Sequence, residues 1–559
     1  MKTILILGAG LMQKPAIEAA SRLGYKVAVA DGNPNAVCVP LADVFEPVDL
    51  KDRDALLSFA LKLDSCEEGE NLAGVFTAGT DFSASVSYVA ENMNLPGHSF
   101  EAALNASDKV RMRSCFMKEG VPSPRFFNVN TDDAGKSADE MMREAGFSAF
   151  PLVVKPVDNM GGRGCRMVRS KEELSEAVKI AVTYSRTRRA ILEEYMPGRE
   201  FSIDALVFDG EVTITGFADR HIYYPPYFIE MGHTMPTVLN EKEWCDLAKT
   251  FRDGIKALGL THGAAKADIK LTPSGPMIGE IAARLSGGYM SGWTFPYASG
   301  MNLTEQALLL ALGKKPEALI AQRERTPVDG VWNVKTEKTS AERAWLSIPG
   351  RIEKVVNPLF DKILDSATKR SDDCGTAPFI KNVLPRCSAG DEVTFPVNNV
   401  GKCGNVISCS ANYDEAVAAA ENAVANIVPV LALNTSATDT FLAEPIDTEF
   451  PPSAFVLPEQ IAEELFSECK GKTISASDEI KLPEIIKSYA ENIKDWNKRS
   501  IKKTLELFDT LKTSFSGMPL DLFWKALLRG GIQGILYEVS KYAGEKNGYG
   551  ENTSRKYAY

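Results

Sequence analysis

Histidine is scarce in this 559-residue chain, with only four, and its ten cysteines never form a CxxC pair. A zinc site of the finger type depends on such spacing and is not expected. The cysteines, at 38, 66, 115, 165, 245, 374, 387, 403, 409 and 469, are too dispersed for the disulfide framework of a small secreted domain. They read as reduced packing residues of a cytoplasmic protein. Long apolar runs are missing as well. The opening run, Ile4 to Leu7, stops at Gly8-Ala9-Gly10, too short for a signal h-region or a membrane span. There is no excess of positive charge: 63 basic residues stand against 74 acidic ones, a net charge of −11. This argues against a surface that coats nucleic acid. No internal repeat is found. What is present is ordinary for globular protein, 44% hydrophobic and 25% charged residues. At roughly 150 residues per domain, the length suggests three or four domains.

The first hundred residues alternate between strand and helix patterns. Lys2 to Leu7, Lys26 to Ala30 and Leu72 to Thr77 read as buried strands, and Gln13 to Leu23 and Phe82 to Met93 as helices. That alternation predicts a doubly wound α/β unit with a parallel sheet. Gly8-x-Gly10 invites a dinucleotide reading, but Gln13 stands where the third glycine is needed for close helix packing. A structural βα turn, or a surface that helps hold substrate, is the better expectation. From Pro151 the pattern becomes α+β with antiparallel hairpins. Ala190 to Met196 and Arg199 to Phe208 read as strands joined at Pro197-Gly198. Lys266 to Leu271 and Pro276 to Ile281 read as strands joined through Thr272 to Gly275. Glu241 to Leu258 and Tyr413 to Ile427 have helical spacing. Asn434 to Thr440 reads as a linker, followed by a mainly helical, lysine-rich remainder and a polar tail from Gly544.

Three segments carry chemistry. Lys155 precedes a loop, Asp158 to Gly164, holding Gly161, Gly162 and Gly164. Glycines let backbone N–H groups turn toward phosphate, and the lysine adds a point charge; a mobile hairpin loop is the plain alternative. In the second hairpin, Leu271 facing Met277 extends to Asp268 facing Glu280. Two carboxylates about 4.5–5.5 Å apart repel unless a cation lies between them. Mg2+ held by carboxylates and substrate phosphates meets that need, and Arg284 can offset charge on a transferring phosphoryl group; a solvated pair at a sheet edge is the alternative. The third segment, Glu193 to Asp204, offers backbone to an adenine edge and Glu200 to ribose hydroxyls. On the residues alone, Glu194 and Arg199 read as surface charge.

Taken together, residues 1 to about 312 resemble the ATP-grasp superfamily. Ile4 to Gly10, Gln13-Lys14-Pro15, Arg22 to Tyr25 and Asp31 to Pro34 are similar to carbamoyl-phosphate-synthetase-like preATP domains. Ser107-Asp108-Lys109, with Met112-Arg113 and Gly120 to Pro124, resembles the first lysine segment. Val154-Lys155-Pro156 and the glycine loop resemble the second lysine and phosphate flap. The resemblance implies nucleotide contacts from Lys109, Lys155, Gly161, Gly162, Gly164, Glu193, Glu194, Met196 and Glu200, and metal ligation by Asp268 and Glu280. Two departures bear on the metal. Ala282 stands where relatives often carry an asparagine ligand, and Asp268 is one carbon shorter than the usual glutamate. Ala283-Arg284-Leu285-Ser286-Gly287-Gly288 looks like the carboxylate–amine ligase branch, which includes L-amino-acid ligases. Residues 330 to 430 resemble that branch's lid.

The resemblance implies an α/β and α+β multidomain fold. A preATP-grasp doubly wound sheet (1–104) precedes an ATP-grasp domain (105–312) and its lid (313–432), and a helical extension (433–559) follows. It also implies an ADP-forming ligase that uses ATP and Mg2+, or Mn2+, to join small-molecule carboxylate and amine substrates, with Arg284 stabilising the transferring group. His233, in Gly232-His233-Thr234, falls where the acyl substrate is expected. It is a candidate to orient substrate or take the amine proton, set against a structural role. His221 and His262 read as structural, and His98 as a turn residue. The expectation is a cytoplasmic protein without nucleic-acid or membrane partners, with homodimer formation open. The alternatives are a bicarbonate- or formate-activating ligase of biotin-carboxylase or purine-biosynthesis type, and a nucleotide-binding regulator without turnover.

Overall fold

The computed structural model describes residues 2–64, 71–357, 379–474, 480–512 and 515–546. Cys66, Cys374 and the end of the polar tail lie outside them. Two compact units are present: residues 1–342 with 409–416, and residues 343–408 with 417–559.

The first unit opens with β1 (Thr3–Leu7), α1 (Lys14–Arg22), β2 (Lys26–Ala30), β3 (Val44–Glu46), α2 (Arg53–Asp64), β4 (Leu72–Phe76) and α3 (Ser83–Asn92). The strands form a parallel sheet in the order β3-β2-β1-β4. Both faces are covered, as a parallel sheet requires. Ile4, Ile6, Val27 and Val29 join one core with Ile17 and Leu308, while Leu5, Leu7, Ala28 and Ala30 join another with Leu56 and Phe59. The failed glycine fingerprint has a physical explanation. Gln13 is buried and clamps the chain after β4, donating from Nε2 to Ala78 O (2.5 Å) and accepting from Ala78 N (2.9 Å). Asp31 receives the Ala9 and Asn33 amides at 2.7 and 2.8 Å, so both its oxygens serve the turn.

Next come α4 (Phe100–Ser107), α5 (Lys109–Glu119), β5 (Phe126–Val129), α6 (Ala138–Ala145), β6 (Leu152–Pro156), β7 (Arg166–Val168), α7 (Lys171–Tyr184) and β8 (Ala190–Glu194). The strands make an antiparallel sheet in the order β5-β8-β6-β7. A second antiparallel sheet holds β9 (Arg199–Phe208), β10 (Glu211–Tyr223), β11 (Ile229–Met235), β12 (Gly263–Thr272) and β13 (Gly275–Ala282), in the order β13-β12-β9-β10-β11, with α8 (Glu241–Leu258) packed on it. Strand alternation divides this sheet cleanly. Phe201, Ile203, Ala205, Ala267, Ile269 and Ile281 face α8 through Phe251 and Ile255, and the charged residues between them face away.

Here the hairpin expectation fails for Ala190 to Phe208: β8 and β9 belong to different sheets. Pro197 has no amide to donate to a ladder. Gly198 (φ +126°) passes so close to β12 that a Cβ would lie 2.1 Å from Leu271 O. Pro197-Gly198 is therefore a crossing between sheets.

In the second unit, Gly350–Val356 pairs antiparallel with Val428–Leu431 and with Glu392–Val393, and Ile380–Pro385 pairs with Gly404–Ser410. The linker expectation at Asn434 to Thr440 is corrected. Ser436–Ala443 is a helix with Thr438, Phe441 and Leu442 buried, and Thr438 Oγ1 donates to Pro349 O at 2.8 Å. The helices Glu459–Cys469, Ile501–Leu511 and Leu520–Lys546, the last interrupted at Gly531, fold onto the same unit. Buried Arg499 ties them in, donating to Ala425 O at 2.9 Å and pairing with Asp495 at 3.2 Å. No helix among the described residues is long and apolar enough to cross a membrane.

Candidate active site

The charged face of the larger sheet is a grid set by register. One row runs Lys270, Glu200, Arg220 and His233 across four strands, and a second runs Glu280, Asp268, Ser202 and Ala218. Asp268 does oppose Glu280, but by a different route from the one expected. Near the turn, Leu271 faces Pro276 and Lys270 faces Met277, one residue off the sequence reading. A bulge at Gly279 restores the frame, so the two carboxylates meet.

Cations surround this pair. Asp268 lies 2.5 Å from Lys266 Nζ and 2.8 Å from Arg220 Nη1. Arg220 also reaches Glu200 at 2.6 Å and binds Glu230, and Lys270 lies 3.2 Å from Glu200. Glu280 lies 3.4 Å from Lys109 Nζ. Burial alone would raise the Glu280 pKa, but Lys109, Lys266, Arg284 and Lys155 reverse that and hold it at about 2. Burial likewise opposes ionisation of Glu200, and Arg220 and Lys270 more than compensate.

Lys109 is placed by local sequence. Asp108 caps α5, accepting from the Val110 and Arg111 amides at 2.9 and 3.1 Å. Lys109, Met112, Arg113 and Phe116 then form the buried stripe of that helix. Lys109 Nζ donates to Asn159 O at 3.0 Å, at the root of the glycine loop. Gly161, Gly162 and Gly164 all take positive φ, between 69° and 74°. The loop is anchored at its start, where Asp158 accepts from Ser185 Oγ and from the Arg186 and Thr187 amides at 2.8 to 2.9 Å.

Glu193 is a buried hub. Its carboxylate takes Arg113 at 2.8 Å on one oxygen and Lys155 at 2.6 Å on the other. Burial raises its pKa, and the two cations bring it below the usual range. Glu193 therefore aims Lys155 at the loop through its side chain. Glu194 points away, accepting from Arg125 N and Nε at 2.9 and 3.1 Å. Met196 is buried beside Gly279. A cavity of about 280 Å3 opens where the two sheets meet, lined by Met167, Tyr195, Glu200, Arg220, His221 and Lys270.

Beyond the carboxylates, Arg284 Nη1 donates to Leu285 O at 3.1 Å, and its Nε has no hydrogen-bond partner among the described residues. The Leu285 backbone bridges to Ala78, which brings the loop after β4 against residues 284–288. That loop carries Asp81, whose pKa is raised by burial and by Glu280 against the pull of Arg284 and Lys109. Asp204, fully buried, accepts from Ser286 Oγ at 2.5 Å, and burial pushes its pKa up to about 6. His233 is engaged on both ring nitrogens, 3.0 Å from Thr294 Oγ1 and 3.2 Å from Glu342. Glu230, His233 and Glu342 lie close enough together to hold a cation. His98 is buried: it accepts the Thr261 and His262 amides on Nδ1 (3.2 Å) and faces Ala264 O from Nε2 (3.0 Å), a structural tie.

The structure thus brings Lys109, Lys155, Glu193, the glycine loop, Glu280, Asp268, Arg284 and Glu200 around one region, with the Glu194 side chain turned toward Arg125. Sequence reasoning assigned no role to Arg113, Arg220, Lys266, Lys270, Asp204 or Asp81. Two signals were available for some of them. Lys266-x-Asp268-x-Lys270 alternates charge on one strand face, and Lys109 and Arg113 share a helix face.

Three segments of the chain match known protein families. Residues 148–292 match the ATP-grasp domain family, residues 368–432 the L-amino acid ligase C-terminal domain 2, and residues 1–73 the ribonucleotide synthetase preATP-grasp domain. Carnosine synthase 1 of Gallus gallus is 26% identical over 65% of this chain and 41% of its own length, so this chain spans less than half of that relative. Among solved structures, L-amino acid ligase from Bacillus licheniformis aligns with TM-score 0.62 and 21% identity over 77% of this chain and 99% of its own. Phosphoribosylglycinamide synthetase from Anaerococcus prevotii aligns at 0.56 and 21%, over 77% and 100%. The chain carries an ATP-grasp domain between a preATP-grasp domain and an L-amino acid ligase C-terminal domain, and it fits the carboxylate–amine branch of ATP-grasp proteins.

Proposed function

We propose that this chain is an ADP-forming ligase: ATP phosphorylates a carboxylate, and an amine displaces phosphate from the acyl phosphate to give an amide. The observation that carries this reading is the Asp268–Glu280 pair, ringed by Lys109, Lys266, Arg220 and Arg284 beside Lys155 and the glycine loop, with the Glu280 carboxyl held well below its ordinary range. Relatives named carnosine synthase and L-amino acid ligase support an amine as the nucleophile.

The donor set fits Mg2+, which takes one or two carboxylates together with substrate phosphates. Asp268 and Glu280 would hold it, and Ala282 contributes no oxygen. The ion, when bound, supplies positive charge to the β- and γ-phosphate oxygens. Lys109 and Lys155 neutralise phosphate oxygens, and the loop amides turned by Gly161, Gly162 and Gly164 close over them and exclude water. Glu200 accepts ribose hydroxyl protons at the cavity. In this reading Arg284 stabilises the charge that spreads as the acceptor carboxylate meets the transferring phosphoryl group. His233, tied to Thr294 and Glu342, holds the substrate side of the site in place.

Glu280→Gln removes a charge at nearly constant shape. It is expected to keep the folded circular-dichroism spectrum while ADP formation falls about tenfold or more. A variant that still turns over within about threefold of the parent contradicts the metal role.

A further inference from the structure

The helical part of the second unit contains a groove that ligation does not use. Its volume is about 680 Å3. One wall is a single face of the helix Glu459–Cys469, presenting Glu459, Ala462, Glu463 and Phe466. The opposite wall is the first turns of Leu520–Lys546, with Asp521, Leu522 and Lys525, and Ile446, Asp447, Val456 and Leu457 complete the lining. The floor is apolar, and Val456 is 59% exposed there. The rim is acidic. Asp447, Glu459, Glu463 and Asp521 face a single Lys525, and none of the four has an ion pair among the described residues. The helix Glu459–Cys469 contains four glutamates and no basic residue.

A trough between two helix faces, apolar below and with an excess of acidic residues along its rim, has the form of a helix-in-groove receptor. Its charge selects the occupant. Anionic membrane is repelled by such a rim, and an acidic segment pays like-charge repulsion. An amphipathic helix with an apolar stripe and flanking lysines or arginines buries the floor and neutralises the rim together. The matched families end at residue 432, before every residue of the groove. We infer that this groove is a docking site for a basic amphipathic helix of a partner protein, built on the segment that follows the ligase domains.

The test uses the full chain and two labelled helical peptides of roughly four turns. Both carry the same leucine stripe, one flanked by lysine and the other by glutamate. The lysine peptide is expected to bind, with affinity falling about tenfold on going from low to high salt. Glu459→Lys with Glu463→Lys, and separately Val456→Asp, should each weaken binding about tenfold or more while ADP formation is unchanged. The inference is overturned by no binding of the lysine peptide, by equal binding of both peptides, or by lysine-peptide binding that the groove variants leave intact. Self-association of the chain that the same variants abolish would assign the groove to a second copy and also overturns it.

Discussion

Buried charge at single residues sets the behaviour of this site. Arg113 and Glu193 are 0% and 1% exposed, and Glu193 also carries Lys155. Removing one member of such a pair leaves its partner uncompensated, which commonly costs about 3–5 kcal/mol. Arg113→Met should therefore lower stability by about 3 kcal/mol, with Lys155 still pairing to Glu193, and should raise the KM for ATP. A urea unfolding curve that moves by less than about 1 kcal/mol contradicts the hub. Asp204 behaves in the opposite sense. Its folded pKa, about 6, lies above its ordinary value of 3.8, so the folded state binds the proton more tightly. Its contribution is most favourable at low pH and is lost as pH rises toward 6. Asp204→Asn should thus match the parent near pH 4 and exceed it above pH 6, by on the order of 2–3 kcal/mol. Melting temperatures measured across that range check this, and a variant no more stable at pH 7 than the parent contradicts it.

At the scale of elements, the sheet crossing at Pro197-Gly198 holds the cavity edge against the β12–β13 hairpin. Gly198→Ala places a methyl group 2.1 Å from Leu271 O at a φ that disfavours side chains. It should cost about 2 kcal/mol or more and weaken nucleotide binding by displacing the hairpin end. An unchanged melting temperature and unchanged affinity would show that the crossing does not fix the hairpin. The same hairpin shows what is legible from sequence. Period-two alternation and a turn of the right length identify Asp268 and Glu280 as partners. The bulge at Gly279 leaves no such trace, and the correct pair emerged although the register beside the turn was one residue off. Of the cations that neutralise the pair, Lys266 shares a strand face with Asp268 and could be read from their spacing, whereas Arg220 could not, because it reaches Asp268 through pairing of strands far apart in sequence. Arg113, on helix α5, meets Glu193 of β8 across 80 residues of sequence, a contact equally absent from any local pattern. Asn434 to Thr440 misled for a local reason. Its small polar residues resemble a linker, yet Thr438, Phe441 and Leu442 supply a helix face that packs.

At the scale of the whole molecule, the parts serve one sequence of events. The parallel sheet presents the Ala78–Asp81 loop to residues 284–288; on the proposed reading, the antiparallel sheets hold the nucleotide and metal ligands and the glycine loop closes over the phosphates. An acyl phosphate survives only where water is excluded and an amine is at hand. The most direct measurement is ADP release with Mg·ATP, scored against a panel of carboxylates and amines given singly and in pairs, with mass spectrometry of the products. The account predicts slow ADP release with ATP alone, a marked rise only when a matching acid and amine are both present, and one amide formed per ADP. ADP release that is equally fast whatever acids and amines are supplied, with no amide product, would contradict it.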